Sequence, residues 1–196
     1  MKKRIAVLVS GGGTNLQALI DAQGKVLNSG EIVLVISNAA GAYALERAKK
    51  AGIATATVLK KELGSHAAFE QKLVELLTEH KIDIIILAGF MTILTEWFTR
   101  QYPERILNVH PALIPSFCGE GFYGLRVHQA ALDYGVKVTG ATVHFVNEIP
   151  DGGKIIAQKA VDILPGDTPE ILQRRVMEQA EWILLPQAAE QVCAGL

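Results

Sequence analysis

The 196-residue chain has only two cysteines, no long apolar run and almost no net charge. Cys118 and Cys193 form neither a Cys-x-x-Cys pair nor a zinc-ligand spacing, so we expect a reduced, cytoplasmic setting. No apolar run approaches the ~20 residues of a membrane span, so we expect no membrane partner. A formal net charge of −1 gives no reason to expect a nucleic-acid partner.

A glycine-rich stretch, VLVSGGGTNLQALI, lacks the sequence features of two common nucleotide-binding loops. It has no Gly-Lys-Ser/Thr ending of a Walker A loop, and Leu16 interrupts the spacing of a dinucleotide fingerprint. The stretch does predict a strand, a turn and a helix, and a helix N-terminus favours phosphate. We therefore expect a monophosphate at this turn. The alternative is a simple tight turn capped by Thr14 or Asn15.

The apolar pattern predicts a single α/β domain. Short apolar runs alternate with amphipathic segments as far as residue 110, which indicates a mostly parallel, Rossmann-like twisted sheet with helices on both faces. The turn sequence EIPDGG then predicts an antiparallel C-terminal strand pair. The predicted strands are residues 4–10, 32–37, 54–59, 82–88, 106–110, 137–147 and 154–163. The predicted helices are residues 15–22, 42–51, 66–80, 95–102 and 125–134, with a terminal helix after Thr168.

The stretch ILNVHPALIP ends an apolar strand with two polar residues, Asn108 and His110. Side chains two apart on a strand share a face, and the carboxyl ends of parallel strands share the sheet edge where the glycine turn also lies. An amide donates a fixed N–H, and an imidazole can donate or carry a proton near neutral pH. Two such donors suit a developing oxyanion. The alternative is a purely structural His110.

Other catalytic chemistries lack their usual residues. No Ser or Cys lies in a nucleophile elbow, and a nucleophilic Cys118 is a disfavoured alternative. His110, His128 and His144 lack a compact metal-binding spacing, so we expect no metal. We therefore expect direct transfer between two bound substrates. A carboxylate that orients the histidine would be Asp151, although an Asp before Gly is also common in turns.

Five stretches together resemble the folate-dependent phosphoribosylglycinamide formyltransferase family: VLVSGGGTNLQALI, ILAGFMTIL, LNVHPALIPSF, VTGATVHFVNEIPDGGKIIAQ and LPGDTPE. The resemblance covers nearly the whole chain and implies the formyltransferase fold. It implies a step of de novo purine biosynthesis, in which the primary amine of glycinamide ribonucleotide attacks the formyl carbon of the cosubstrate 10-formyltetrahydrofolate. A tetrahedral intermediate then releases tetrahydrofolate. Residues 1–110 would form the phosphate- and ribonucleotide-binding half, and residues 111–196 the folate-binding half with the terminal helix.

The resemblance also implies roles for individual residues. Asn108 and His110 would stabilise the oxyanion, while Asp151 would pair with His110 and help to move a proton from the amine to the folate nitrogen through water. His144 would lie behind these groups, with core packing as an open alternative. The phosphate would bind at Gly13, Thr14 and Asn15.

The remaining implied contacts concern the ribose and the folate. Glu181 would contact the ribose, with a register ambiguous by one residue because the family's Glu-His pair is Glu181-Trp182 here. Thr92 and His66 stand where many members carry a basic residue, and His66 would lie behind the site. The implied folate contacts are Met91, Thr92, Ile93, Leu94, Asn108, Asn147, Glu148, Ile149, Pro150 and Asp151. For the oligomeric state, we expect a monomer or a weak homodimer.

Related activities make different demands on the sequence. Methionyl-tRNA formyltransferases usually carry a further C-terminal domain and need a basic surface, and formyltetrahydrofolate hydrolases usually carry an N-terminal regulatory domain. We expect neither extension, because the chain starts at its first strand and ends soon after its last helix. A sugar-nucleotide formyltransferase and a non-catalytic ligand-binding module are further alternatives.

Overall fold

The computed structural model describes Met1–Leu196 as one seven-stranded sheet with helices on both faces. The strands are β1 Lys3–Val9, β2 Gly30–Ser37, β3 Ala54–Thr57, β4 Ile84–Leu87, β5 Ile106–His110, β6 Val138–Phe145 and β7 Ile155–Asp162. The helices are α1 Thr14–Ala22, α2 Tyr43–Lys50, α3 Lys60–Leu63, α4 His66–Glu79, α5 Glu96–Thr99, α6 Leu125–Tyr134, α7 Pro169–Val176 and α8 Trp182–Gly195. A π-helical turn, Met177–Glu181, joins α7 to α8. No helix has both the length and the apolar character needed to cross a membrane.

The strand order, β3-β2-β1-β4-β5-β6-β7, confirms the predicted sheet. Strands β1 to β5 pair in parallel, whereas β6 is antiparallel to both β5 and β7. In the register of β5 with β6, Asn108 lies opposite His144 and His110 lies opposite Thr142. The antiparallel strand β6 therefore brings two polar residues, Thr142 and His144, beside the end of β5.

Two hydrophobic clusters cover the two faces of the sheet. Alternate residues of β1 divide between them, with Val7 in the larger cluster beside α1 and α8 and Leu8 in the smaller cluster beside α4. Both residues are fully buried. Strands that are buried on both faces have continuous apolar sequences. The sequence of β1 therefore predicts a strand, although apolar and polar residues do not alternate in it.

Several element boundaries differ from the sequence prediction. Strand β3, at the edge of the sheet, ends at Thr57 and not at residue 59. The predicted helix 95–102 is confined to α5, because Gln101 and Tyr102 donate to carbonyls three residues back and Pro103 cannot continue a helix. The predicted terminal helix contains the π-helical turn, and α3 was not predicted.

Gly140 allows β6 and β7 to approach closely. A Cβ atom at this position would lie 2.0 Å from the carbonyl oxygen of Lys159 and 2.9 Å from Leu113. We expect Gly140→Ala to lower the free energy of unfolding by about 1–3 kcal/mol, because this contact is to backbone and cannot relax by rotamer change. The measurement is thermal unfolding, with a shift of about 2–4 °C per kcal/mol. Gly195→Ala is the control, since its Cβ would meet nothing within 4 Å; an unchanged midpoint in Gly140→Ala would contradict the close approach.

Candidate active site

A cavity of about 780 Å³ opens at the carboxyl ends of the central strands. This is the edge where parallel α/β sheets bind ligands, and the volume is typical of a small-molecule site. Both apolar and polar side chains line it. The sequence-predicted residues that line it are Asn15, Met91, Thr92, Ile93, Asn108, His110, Pro150, Asp151 and Glu181.

Asn108 is held by His144 on the neighbouring strand. The His144 Nδ1 atom lies 2.8 Å from the carbonyl oxygen of Phe145, and a carbonyl oxygen only accepts, so Nδ1 carries a hydrogen. The second ring nitrogen, Nε2, lies 3.2 Å from Asn108 Nδ2. This contact sets the orientation of the amide and leaves its second N–H free for a ligand. His144 is buried, but its contacts place it directly behind Asn108.

His110 and Asp151 form a buried pair. The Nε2–H group of His110 donates to the carbonyl oxygen of Phe117 at 2.8 Å, and its Nδ1 lies 3.5 Å from Asp151 Oδ2. The backbone N–H of Gly119 donates to the same carboxylate at 2.8 Å, and His144 Nε2 lies 3.5 Å from Asp151 Oδ1. Asp151 has a left-handed backbone with φ of 55°, a conformation that Asp tolerates better than most residues. The predicted trio is therefore assembled in one place.

The surroundings set the charge of this pair. Burial lowers the pKa of His110, and the charge of Asp151 and the hydrogen bond to Phe117 offset the effect only in part. Burial by itself would raise the pKa of Asp151, but the approach of His144, the charge of His110 and the N–H of Gly119 outweigh it and lower the pKa. At neutral pH the pair is therefore a neutral imidazole beside a carboxylate.

The glycine turn leads directly into α1. Gly13 has φ of 74°, and a Cβ there would lie 2.6 Å from the Cβ of Ala44, so only glycine fits. The backbone N–H groups of Gly13, Thr14 and Asn15 donate to no protein acceptor. Neither of the two side chains caps the helix, which disagrees with the simple capped-turn alternative.

Glu181 faces the cavity from the π-helical turn. Its carboxylate accepts a hydrogen bond of 2.7 Å from Asn15 Nδ2, and only 6% of the residue is exposed. Burial raises the pKa of Glu181, and the bond from Asn15 opposes this effect. Glu181 lines the cavity, whereas its neighbours Ala180 and Trp182 do not.

The segment 90–95 forms the apolar wall and is fixed by three side chains that sequence reasoning missed. Ser10 Oγ accepts from the N–H of Met91 at 2.8 Å, and Asn38 Nδ2 donates to Thr92 Oγ1 at 2.8 Å. The buried carboxylate of Glu70 accepts from both the N–H and the hydroxyl of Thr95. A charged residue on the apolar face of α4 was the available signal for Glu70.

Other predicted contacts lie away from the cavity surface. His66 Nε2 lies 3.2 Å from Glu70 Oε1, behind the apolar wall, and Leu94 is buried in the smaller core cluster. Asn147, Glu148 and Ile149 precede the lining residues Pro150 and Asp151 without lining the cavity themselves. Sequence reasoning missed a second group of lining residues, namely Gly119–Gly124, His128, Gln173 and Met177.

The geometry bears on two alternative chemistries, a metal site and a nucleophilic cysteine. No group of three or more His, Cys, Asp and Glu side chains in Met1–Leu196 could hold a metal ion. Burial, and then the charge of Asp151, raise the pKa of the Cys118 thiol. A thiol with a raised pKa is a poor nucleophile at neutral pH.

Comparisons with known proteins agree with this geometry. The formyl transferase family profile matches residues 3–188. The phosphoribosylglycinamide formyltransferase of Haemophilus influenzae is 44% identical over 177 residues, covering 90% of this chain and 81% of that protein. The chicken trifunctional purine biosynthetic protein adenosine-3 is 45% identical over 194 residues, and the chain spans only 19% of its length.

A solved structure shows the same fold. Glycinamide ribonucleotide transformylase 1 from Symbiobacterium toebii superposes with a TM-score of 0.92 at 41% identity, covering 99% of this chain and 89% of that one. Sequence and fold therefore agree across almost the whole chain. The chain belongs to the formyl transferase family and, within it, to the phosphoribosylglycinamide formyltransferases.

Proposed function

We propose that the chain transfers the formyl group of 10-formyltetrahydrofolate to the primary amine of glycinamide ribonucleotide. The products are N-formylglycinamide ribonucleotide and tetrahydrofolate. The observation that carries this proposal is the meeting of Asn108, His110 and Asp151 in one cavity that also reaches the start of α1. A phosphate at the free N–H groups of Gly13–Asn15 would direct the substrate amine towards the trio.

The two substrates occupy different walls of the cavity in this proposal. The ribonucleotide lies along Asn15 and Glu181, where the buried carboxylate accepts hydrogen bonds from ribose hydroxyls. The folate lies against Met91 and Ile93, whose exposed side chains offer an apolar surface to the pterin. The formyl carbon then lies near Asn108, between the two walls.

The route of the proton follows from the hydrogen-bond directions around His110. Because Nε2–H is committed to Phe117, the free lone pair is on Nδ1, which faces Asp151. The amine becomes acidic when it attacks the formyl carbon, and its proton passes to Nδ1, directly or through water. The Nδ1–H of the resulting imidazolium is shared by Asp151 and the oxyanion, and the free N–H of Asn108 also donates to the oxyanion. The same proton then goes to the folate nitrogen as tetrahydrofolate leaves.

The remaining features of the proposal come from the sequence. They are a division into a ribonucleotide-binding half, 1–110, and a folate-binding half with the terminal helix, 111–196. They also include a cytoplasmic location, a monomer or weak homodimer, and no metal, nucleic-acid or membrane partner. The near-zero net charge and the absence of a long apolar run support the last two expectations.

A turnover assay with two tubes tests the proposed function. One tube contains the chain, glycinamide ribonucleotide and 10-formyltetrahydrofolate, and the other lacks the ribonucleotide. Release of tetrahydrofolate only with the ribonucleotide supports the transferase. Release in both tubes indicates a hydrolase, and release in neither overturns the proposal.

Replacing His110 tests the catalytic assignment. We expect His110→Ala to lower kcat by about 10²–10³-fold, because the variant loses one oxyanion donor and the proton acceptor. Binding of the ribonucleotide, measured by calorimetry, should change little. Cys118→Ser, in the loop that follows β5, is the control and should keep kcat, since no covalent intermediate forms. A near-normal rate in His110→Ala, or a large loss in Cys118→Ser, would contradict this mechanism.

The charge of Asp151 contributes to the pKa of His110. Asp151 raises the pKa of His110 against the stronger effect of burial. Asp151→Asn removes the negative charge, so we expect the His110 pKa, already below its usual 6.5, to fall further. The measurement is an NMR titration of the ¹⁵N-labelled imidazole, assigned with the His110→Ala variant. An unchanged or higher pKa would show that the carboxylate and the imidazole do not interact.

Glu70 positions the apolar wall without touching the cavity. Glu70→Ala removes the acceptor for two Thr95 donors, so we expect the KM for 10-formyltetrahydrofolate to rise about ten-fold, the equivalent of one charge-assisted hydrogen bond. The KM for the ribonucleotide should stay within about two-fold. Glu75→Ala is the matched control, because Glu75 is exposed and pairs only with Lys72. Equal changes in both KM values would indicate general loss of structure and not a folate-specific role.

A further inference from the structure

His128 is a buried imidazole without hydrogen-bond partners. It lies on α6, none of the residue is exposed, and neither ring nitrogen contacts a donor or acceptor. The other two buried histidines of the site, His110 and His144, have partners at both nitrogens. Buried polar groups in proteins are nearly always paired, so an unpaired imidazole indicates a missing partner.

The imidazole of His128 is uncharged at neutral pH. Burial, with a smaller contribution from the charge of His110, lowers its pKa to about 4. A neutral imidazole has one N–H donor and one lone-pair acceptor. Its missing partner is therefore a group that can both accept and donate, such as a hydroxyl or an amide.

His128 belongs to the polar side of the cavity. It lies in the cavity wall, and α6 packs against α7, which carries Gln173. The side-chain amide of Gln173 is half-buried in the same wall and makes no hydrogen bond in the protein. Glu181 follows along the same polypeptide segment, whereas the apolar residues Met91 and Ile93 form a different wall. The unpaired polar groups therefore line the same cavity as Glu181, which the proposed function assigns to the ribonucleotide.

We propose that His128 is a binding residue for the ribonucleotide substrate, and that its imidazole hydrogen-bonds to a ribose hydroxyl or to the glycinamide amide. This inference rests on the proposed function, because it names the same ribonucleotide. Entry of the ligand supplies the partner that the ligand-free protein lacks. His128 does not take part in proton transfer, which belongs to His110 and Asp151.

Replacement of His128 by leucine separates binding from structure. Leucine has a similar volume and no polar atom, so it removes two unpaired groups from the ligand-free protein. We expect the midpoint of thermal unfolding to rise by about 2–4 °C, because a buried unsatisfied polar group is destabilising. We expect the Kd for glycinamide ribonucleotide, measured by calorimetry, to rise at least ten-fold, which is about 1.4 kcal/mol. The KM for 10-formyltetrahydrofolate should not change.

Two further variants define the result. His128→Gln restores a donor and an acceptor and should recover part of the affinity, whereas His128→Met should not. His80→Leu is the matched control, because the Nδ1 atom of His80 contacts Leu76 O on α4, away from the cavity. In that variant the midpoint should fall and the Kd should stay unchanged. If His128→Leu does not fold, the comparison of His128→Gln with His128→Met takes its place.

The wild-type chain is measured first, so that two different failures are distinguished. Absence of ribonucleotide binding in the wild type overturns the proposed function itself. Binding by the wild type together with equal binding by His128→Leu overturns only the role of His128, as would be the case if a buried water were its partner. A lower unfolding midpoint with unchanged Kd assigns His128 to structure alone and also overturns the inference.

Discussion

The carboxylate of Asp151 is the group on which the rest of the site depends. It is an anion between two buried imidazoles, and it also accepts the N–H of Gly119 from the loop whose Phe117 carbonyl holds His110. A buried carboxylate is costly unless it is paired and hydrogen-bonded, and here these contacts keep its pKa low in spite of burial. One charge therefore holds the loop through the N–H of Gly119 and faces Nδ1 of His110, while burial keeps that imidazole neutral.

The sheet places this charge where it is needed. Strand β5 has a parallel neighbour, β4, and an antiparallel neighbour, β6, and the second pairing sets Asn108 opposite His144. The chain leaves β6 at its carboxyl end and turns back through Pro150 and Asp151 into β7. A continuation in parallel would have required a crossover of a dozen or more residues. Phe145, at the end of β6, pairs with Leu107 near the start of β5, so the short connection to β7 folds back until Asp151 lies beside His110 and His144.

The parts that the sequence predicts are those with a local signal. The strands are continuous apolar runs, and Asn108, His110 and Gly13 stand at strand ends or turns with their own patterns. Glu70 has only a weak signal, a charged residue on the apolar face of α4, and His128 has none, because their importance lies in contacts with residues far along the chain or in the absence of any contact. The π-helical turn is also missed, since a single such turn within a long helical segment has no sequence pattern of its own.

Several polar groups of the cavity are arranged at a cost to the ligand-free protein. Asn15 Oδ1 and both nitrogens of His128 are buried without partners, and the carboxylate of Glu181 is buried with a raised pKa. Folding alone would favour apolar residues at these positions, because each unpaired buried group costs about 1–3 kcal/mol. A ligand that supplies the missing partners recovers this free energy on binding and stabilises the folded state by mass action. The same groups that destabilise the folded protein are therefore a source of affinity for a polar substrate, and two of them, Asn15 and Glu181, lie at the start of α1, where the proposed phosphate would be held.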